Sequence, residues 1–274
     1  MTIDHSAETF DSSELPDVSD RFPEGARMEG LYAAHMEARE RAYRAIFGPS
    51  DPPDTILSPG DPNLMINWPG GGVYIFPPRS GRTGWHYVTH GLAQPMEDDL
   101  PASTVPDSED PISGLGIELV ISTPDKCSWA PDVLFNLTKY MLFQPGARAI
   151  LPGHRVPCNG PLVLGTNTPL RHLVGTRSSE YPSDIRLPAG YCWLVHLVGA
   201  TDDEMGFATR WGPGTGGSEI LQEVFLMLGV SYLSNPDRRS LTERTDFIEA
   251  WRLTEERLET QWRSNGWNGE GKTQ

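Results

Sequence analysis

Few residues in this chain stand at spacings that suit covalent chemistry. Gly266-Trp267-Asn268-Gly269-Glu270-Gly271-Lys272-Thr273 fits the phosphate-loop pattern G-x-x-x-x-G-K-[ST] letter for letter. That loop holds an anion only when a strand precedes it and a helix N-terminus follows. Here a helical pattern precedes it and one residue follows Thr273, so the match is read as compositional. No G-x-S-x-G or H-E-x-x-H pattern occurs. His154 and Cys158 can be drawn as a thiol–imidazole pair, and Cys192 and His196 can be added as a zinc set. The tight Cys-x-x-Cys clustering that would make such a set specific is missing. The plainer reading makes Cys192 a small buried residue and His196 a hydrogen-bonded core histidine. The expectation is therefore of no catalytic residues, no metal ligands and no cofactor.

The elements that would position any such residues are interleaved. Helical spacing runs over Met28, Leu31, Tyr32, His35, Met36, Tyr43, Ile46 and Phe47, and Gly48-Pro49 stops it. A proline-rich connector (48–61) follows. Leu64–Trp68, the glycines at 70–72 and Val73–Phe76 predict a strand, a turn and a second strand. Trp85–Leu92 and Gly114–Ser122 read as strands, the latter with Glu118 among apolar residues. Between them lies an acidic loop over 93–112. Helical spacing returns from Trp129 to Met141, with Pro131 in the first turn. Short apolar runs at 162–164 and 170–174 interrupt a glycine- and proline-rich stretch. Residues 189–200 make the clearest strand: Tyr191, Trp193, Val195 and Leu197 on one face, Cys192, Leu194, His196 and Val198 on the other. Helices around 202–211 and 218–228, a strand near 230–233 and an amphipathic helix with Phe247, Ile248, Trp251, Leu258 and Trp262 complete the pattern. The fold class is α/β (α+β), a mixed, mainly antiparallel sheet flanked by helices, with added N- and C-terminal helices.

The chain is divided into an acidic disordered arm (1–26), a helix and β-hairpin extension (27–84), a central domain (85–240), a C-terminal helix (241–264) and a polar tail (265–274). At 274 residues and 38% hydrophobic content it is long enough to bury a core without disulfides. Three cysteines make no disulfide framework, so a reduced, cytoplasmic setting is expected. Neither a membrane-spanning run nor a signal-peptide layout is visible. The net charge of −15 argues against direct nucleic-acid binding. Residues 1–112 hold 19 acids against 7 bases, a field that draws basic partners.

Six landmarks in order carry a resemblance. They are Trp85-His86-Tyr87 closing on Gly91-Leu92, Gly116-Ile117-Glu118-Leu119, Trp129-Ala130-Pro131 with Leu134, Leu137 and Tyr140, Gly153-His154 before Gly160-Pro161-Leu162, Val198-Gly199 before Thr201-Asp202-Asp203-Glu204, and Asp237-Arg238-Arg239. Together, from about 85 to 239, they resemble the suppressor of fused (SUFU) family, in a bacterial-type member. The resemblance implies a binding module. Eukaryotic members sequester a zinc-finger transcription factor of the Hedgehog pathway by clasping a peptide between two lobes. Bacterial relatives are proposed as immunity proteins of polymorphic toxin systems. In the eukaryotic family the aromatic at the helix end, matched by Tyr140, and an acid before the loop histidine help to hold the peptide. That acid falls on Gly153 here.

The expected partner is another protein, such as a basic toxin effector domain, gripped by Trp85, Tyr87, Tyr140, His154, Asp202, Arg238 and Arg239. The same residues also have structural readings. Trp85 and Tyr140 suit a core, Arg238 and Arg239 can cap a turn or pair with Glu118 or Asp237, and the acids at 202–204 suit a helix start. Two other functions remain open: a metal-dependent or thiol enzyme using His154, Cys158, Cys192 and His196, and an adaptor that self-associates through its terminal helices.

Overall fold

The computed structural model describes residues 24–68, 70–95, 110–212, 214–230 and 232–264, with side chains from residue 30. Most of the expected N-terminal arm, most of the acidic 93–112 loop, and the tail with its phosphate-loop lookalike lie outside the described residues. The chain forms two compact units. One comprises 1–120, 134–149 and 178–194; the other comprises 121–133, 150–177 and 195–274.

The elements are, in order, α1 (Glu24–Phe47), β1 (Ile56–Leu57), α2 (Pro62–Asn67), β2 (Gly72–Phe76), β3 (Trp85–His90), β4 (Ile112–Thr123), α3 (Trp129–Phe143), β5 (Arg155–Pro157), β6 (Leu170–Thr176), β7 (Asp184–Leu187), β8 (Gly190–Thr201), α4 (Asp202–Thr209), α5 (Gly216–Met227) and α6 (Phe247–Ser264). The strands form one sheet in the order β1-β2-β3-β4-β8-β6-β5, with β7 pairing to β8 off that path. The pairs β1–β2, β2–β3, β5–β6, β6–β8 and β7–β8 are antiparallel. This is the expected α/β class. No described helix is long and apolar enough to cross a membrane.

Two expected strands are absent. Leu64–Asn67 is helical, with Trp68 as the C-cap, because Asp61 caps the segment by accepting from the Asn63 amide at 2.9 Å and Pro62 occupies the first turn. Leu64 and Trp68, four apart, are its buried residues. The segment expected as a strand is a one-sided helix. β2 instead pairs with β3, Gly72 opposite His90 and Phe76 opposite His86. Val230 and its described neighbours are not in a strand. Gly229, at φ +68°, ends α5, with the Val230 amide donating to Phe225 O at 2.8 Å and the Gly229 amide to Leu226 O at 3.1 Å. In β8 the expected alternation holds only up to Trp193; from Leu194 onward both faces are buried.

In the first unit, α1 lays Ala38, Ala42, Tyr43 and Phe47 over Tyr74, Phe76, Val88, Val120, Tyr181, Ile185, Cys192 and Leu194. Phe47 stacks on Phe76 with centroids 5.0 Å apart and meets Tyr181 edge-on at 5.1 Å. The C-terminal carbonyls of α1 are capped by two arginines. Arg79 donates to Ile46 O at 2.7 Å, and Arg82 donates to Ile46 O while its guanidinium lies over Phe47, 5.3 Å from the ring centroid.

Beneath α1 sits a buried charge pair. Arg39 and Glu118 are both fully buried, 3.3 Å apart. Glu118 also accepts from the Thr89 hydroxyl at 2.7 Å and from the amides of Gly91 at 2.9 Å and Ala93 at 3.1 Å. Arg39 reaches on to the ring nitrogens of His90, at 3.0 and 3.2 Å, and to Met36 Sδ at 3.1 Å. Burial pushes the Glu118 carboxyl up, while Arg39 and these donors pull it back down.

In the second unit, α4, α5 and α6 share a core of Met205, Trp211, Ile220, Leu221, Val224, Phe225, Phe247, Trp251 and Leu258 over Val174, Val198 and Ala200.

Replacing Arg39 by Met leaves a buried carboxylate without its cation. Urea unfolding should then show a loss of about 3–5 kcal/mol. Adding Glu118→Gln, which keeps acceptor capacity without charge, should recover most of it. A double variant as unstable as Arg39→Met would contradict the pairing.

Candidate partner-binding surface

In the second unit, two of the sequence landmarks turn out to be one ion pair whose carboxylate is fully buried and whose arginine is partly so. Thr201 and Glu204 form a capping box at the start of α4: the Thr201 hydroxyl accepts from the Glu204 amide, and the Glu204 carboxylate accepts from the Thr201 amide at 3.0 Å. The fully buried Glu204 carboxylate is held from the other side by Arg238. Nη1 donates to Oε1, Nη2 donates to Oε2 at 2.8 Å, and the Leu241 amide donates to Oε1 at 2.7 Å. The second donor of Arg238 also reaches Gly199 O at 3.0 Å. Arg238 thus ties the 235–241 turn to β8 and α4. Its partner is neither Glu118, which belongs to Arg39, nor Asp237.

The neighbouring Arg239 joins this network only through its carbonyl, which accepts from Arg238 Nη1 at 3.1 Å; its side chain is exposed, 4.0 Å from Glu243. Asp202 is exposed and meets His172 at 2.8 Å and Arg171 at 3.5 Å. His154 is half-buried, with its Nδ1 accepting from the Leu151 amide at 3.2 Å. The residue before it, where the resemblance places an acid, is a glycine for a local reason. Gly153 has φ +88°, and a Cβ there would lie 2.5 Å from Thr215 Cγ2.

In the first unit the aromatic landmarks separate. Tyr87 is fully buried and Trp85 half-buried on β3. Tyr140 is 50% exposed on the outer side of α3. The helix that carries it meets a second helix that the sequence did not reveal. α2 lies against α3, with Lys139 bonded to the α2 cap Asp61 and Trp68 edge-on to Phe135 at 6.5 Å. From these two helices Ile66 (73% exposed), Met65 (50%) and Phe143 (38%) also face water. Four large exposed apolar residues on two adjoining helices make a candidate contact face; the second unit carries another such set, Leu226 and Met227 on α5 with Ile248 and Leu253 on α6. The missing signal was the helical nature of 62–67, without which Met65 and Ile66 looked like strand core.

Among the described residues no group of three or more His, Cys, Asp or Glu is placed to hold a metal ion. Cys192 is fully buried in the first unit, and burial raises its thiol well above the ordinary range. Cys158, in the second unit, is pushed up by burial to about 11. Both thiols are therefore protonated near neutrality and poor nucleophiles. The structure does not assemble the His154/Cys158/Cys192/His196 set into a site.

A family model, Suppressor of fused protein (SUFU), matches residues 68–239. The chain belongs to the suppressor of fused family. No curated protein matches it. Solved SUFU structures share its fold. Drosophila Suppressor of Fused superposes with a TM-score of 0.52 at 23% identity over 70% of this chain, which spans 46% of that protein. A Sufu–Fu complex matches with a TM-score of 0.55 at 21% identity, covering 82% of this chain and 95% of the other. A SUFU homolog from Neisseria gonorrhoeae FA 1090 matches at 0.53 and 18% identity, covering 75% and 96%. Within the matched SUFU region, Glu118 and Glu204 are structural anchors, each fully buried under donors.

Neighbouring arginines should behave oppositely. Arg238→Met strands the Glu204 carboxylate and should cost about 3–5 kcal/mol in urea unfolding. Arg239→Ala should leave the midpoint unchanged within error. Gly153→Asp, forced to a positive φ against Thr215, should cost about 1–3 kcal/mol rather than create a contact.

Proposed function

We propose that this SUFU-family chain is a non-enzymatic protein-binding module whose grip lies on the α2/α3 face of its first unit. The observation that carries the proposal is the group Met65, Ile66, Tyr140 and Phe143, large apolar side chains held in water by two helices that are themselves pinned. Aromatic and aliphatic anchors of this kind, rimmed by polar groups such as Asp61 and Lys139, are what protein interfaces use. A solved relative is a Sufu–Fu complex, which supports the reading. Trp85 lies in the same unit and joins the contact set. In the second unit, His154, Asp202 and Arg239 are the polar side chains left to a partner after Arg238 is taken up by Glu204.

The partner is a basic polypeptide with an apolar patch. The first 112 residues, with 19 acids against 7 bases, would steer it in, an effect that weakens as salt rises. A toxin effector domain fits that description. On this reading the chain is a cytoplasmic immunity protein that works by covering the toxin, with no substrate transformed and no cofactor used. A stable complex should bury about 1,200 Å² or more.

Ile66→Asp and Tyr140→Ala, both at exposed positions, should leave thermal unfolding unchanged and cut recovery of a co-purifying protein at least about tenfold, the effect of losing one anchor. Leu164→Ser, an exposed apolar change in the second unit, should leave recovery intact. Equal recovery by all three variants would overturn the assignment of the face.

A further inference from the structure

Three histidines are packed under the first unit's helix α1 without exposure: His35 on α1 itself, and His86 and His90 on β3. Their surroundings are aromatic and already cationic. His90 lies between Arg39 and Tyr74, whose ring is 5.2 Å away, edge-on. His86 lies 5.8 Å from Phe47 and 6.5 Å from Tyr181, both of which also flank the Arg82 guanidinium. His35 shares its helix face with Arg39, one turn on. An added proton on any of them would be a second positive charge in a dry core.

We infer that the first unit is acid-sensitive, with α1 coming off the sheet when His35, His86 and His90 take up protons. This holds whether or not the α2/α3 face binds a partner. Burial, then Arg39, holds His35 down at about 3. Burial, then Arg82 and Arg79, brings His86 to about 4, and burial, then Arg39, brings His90 to about 2. The unfolded values are about 6.5. Between roughly pH 6.5 and 4 the unfolded chain therefore binds more protons, and folding loses ground as the pH falls.

The other groups facing these rings set the balance. Tyr43, Tyr74 and Cys192 are raised upward and stay neutral throughout. Glu118 is also raised, so its protonation works in the opposite direction, as does that of Glu180 near Arg82. Glu180 is only half-buried and its share is correspondingly small. Three histidines against one fully buried carboxyl leave a net uptake of protons on opening, so the opening equilibrium rises as the pH falls.

Cys192, in the core that α1 covers, reports the opening. In the full chain carrying Cys127→Ser and Cys158→Ser, its labelling by a pyridyl disulfide reagent, which reacts at acid pH, is measured relative to the urea-unfolded chain. The relative rate should rise at least tenfold between pH 7.0 and 5.5. His86→Phe, which fills the aromatic pocket without titrating, and separately His90→Gln should each lower that rise by about one proton's worth. A relative rate that is the same at both pH values, or a rise that neither variant reduces, would overturn the inference.

Discussion

A carboxylate taken fully out of water has to be answered by donors, and the answer given to Glu118 organises the first unit. One ionic partner comes from α1, one hydroxyl from β3, and two amides from the segment just after β3. Those four contacts fix the helix, the strand and the turn with respect to β4 at a single point. The cost of burying the pair is offset only if all of the contacts are made, so the arrangement specifies one packing more than it adds stability. Glu204 does the same in the second unit, with Arg238, the Leu241 amide and its own capping box as donors. Each unit is thus built around one buried acid.

This accounts for what the sequence could and could not reveal. Glu118 stood out among apolar residues, but its cation lies 79 positions earlier on a helix whose apolar spacing hid one arginine on the buried face. Arg238 stands out as half of an Arg-Arg pair, which suits a contact, a turn cap or a partner for Glu118 or Asp237. The Thr201-x-x-Glu204 box was the readable clue that a second buried acid needed a base. β8, α3 and α6 were legible because long periodic runs leave little choice. The short segment 64–68 was not: five residues fit either period, and the decision rested on Asp61-Pro62 just upstream. The α2/α3 face followed the same fate, since exposure depends on which period is right.

The functional reading comes from this division of labour. The residues that make the chain recognisable as a SUFU-family member are largely consumed in holding it together: Tyr87 in the core, Glu118 under α1, Glu204 and Arg238 in a closed network. What remains for another molecule is exposed apolar side chains on α2 and α3 of the first unit and, in the second, polar side chains together with exposed Leu164, Leu226, Met227, Ile248 and Leu253. The buried histidines add a condition to that surface, because the helix covering the first core tolerates them only while they are neutral.

A photo-crosslinking amino acid placed at position 66 or 140, and at 164 as the reference, probes the face most directly in the intact chain. The account predicts that positions 66 and 140 cross-link to one and the same polypeptide, with 164 giving none. Cross-links that form from 164 alone, or from none of the three under conditions where a partner co-purifies, would contradict it.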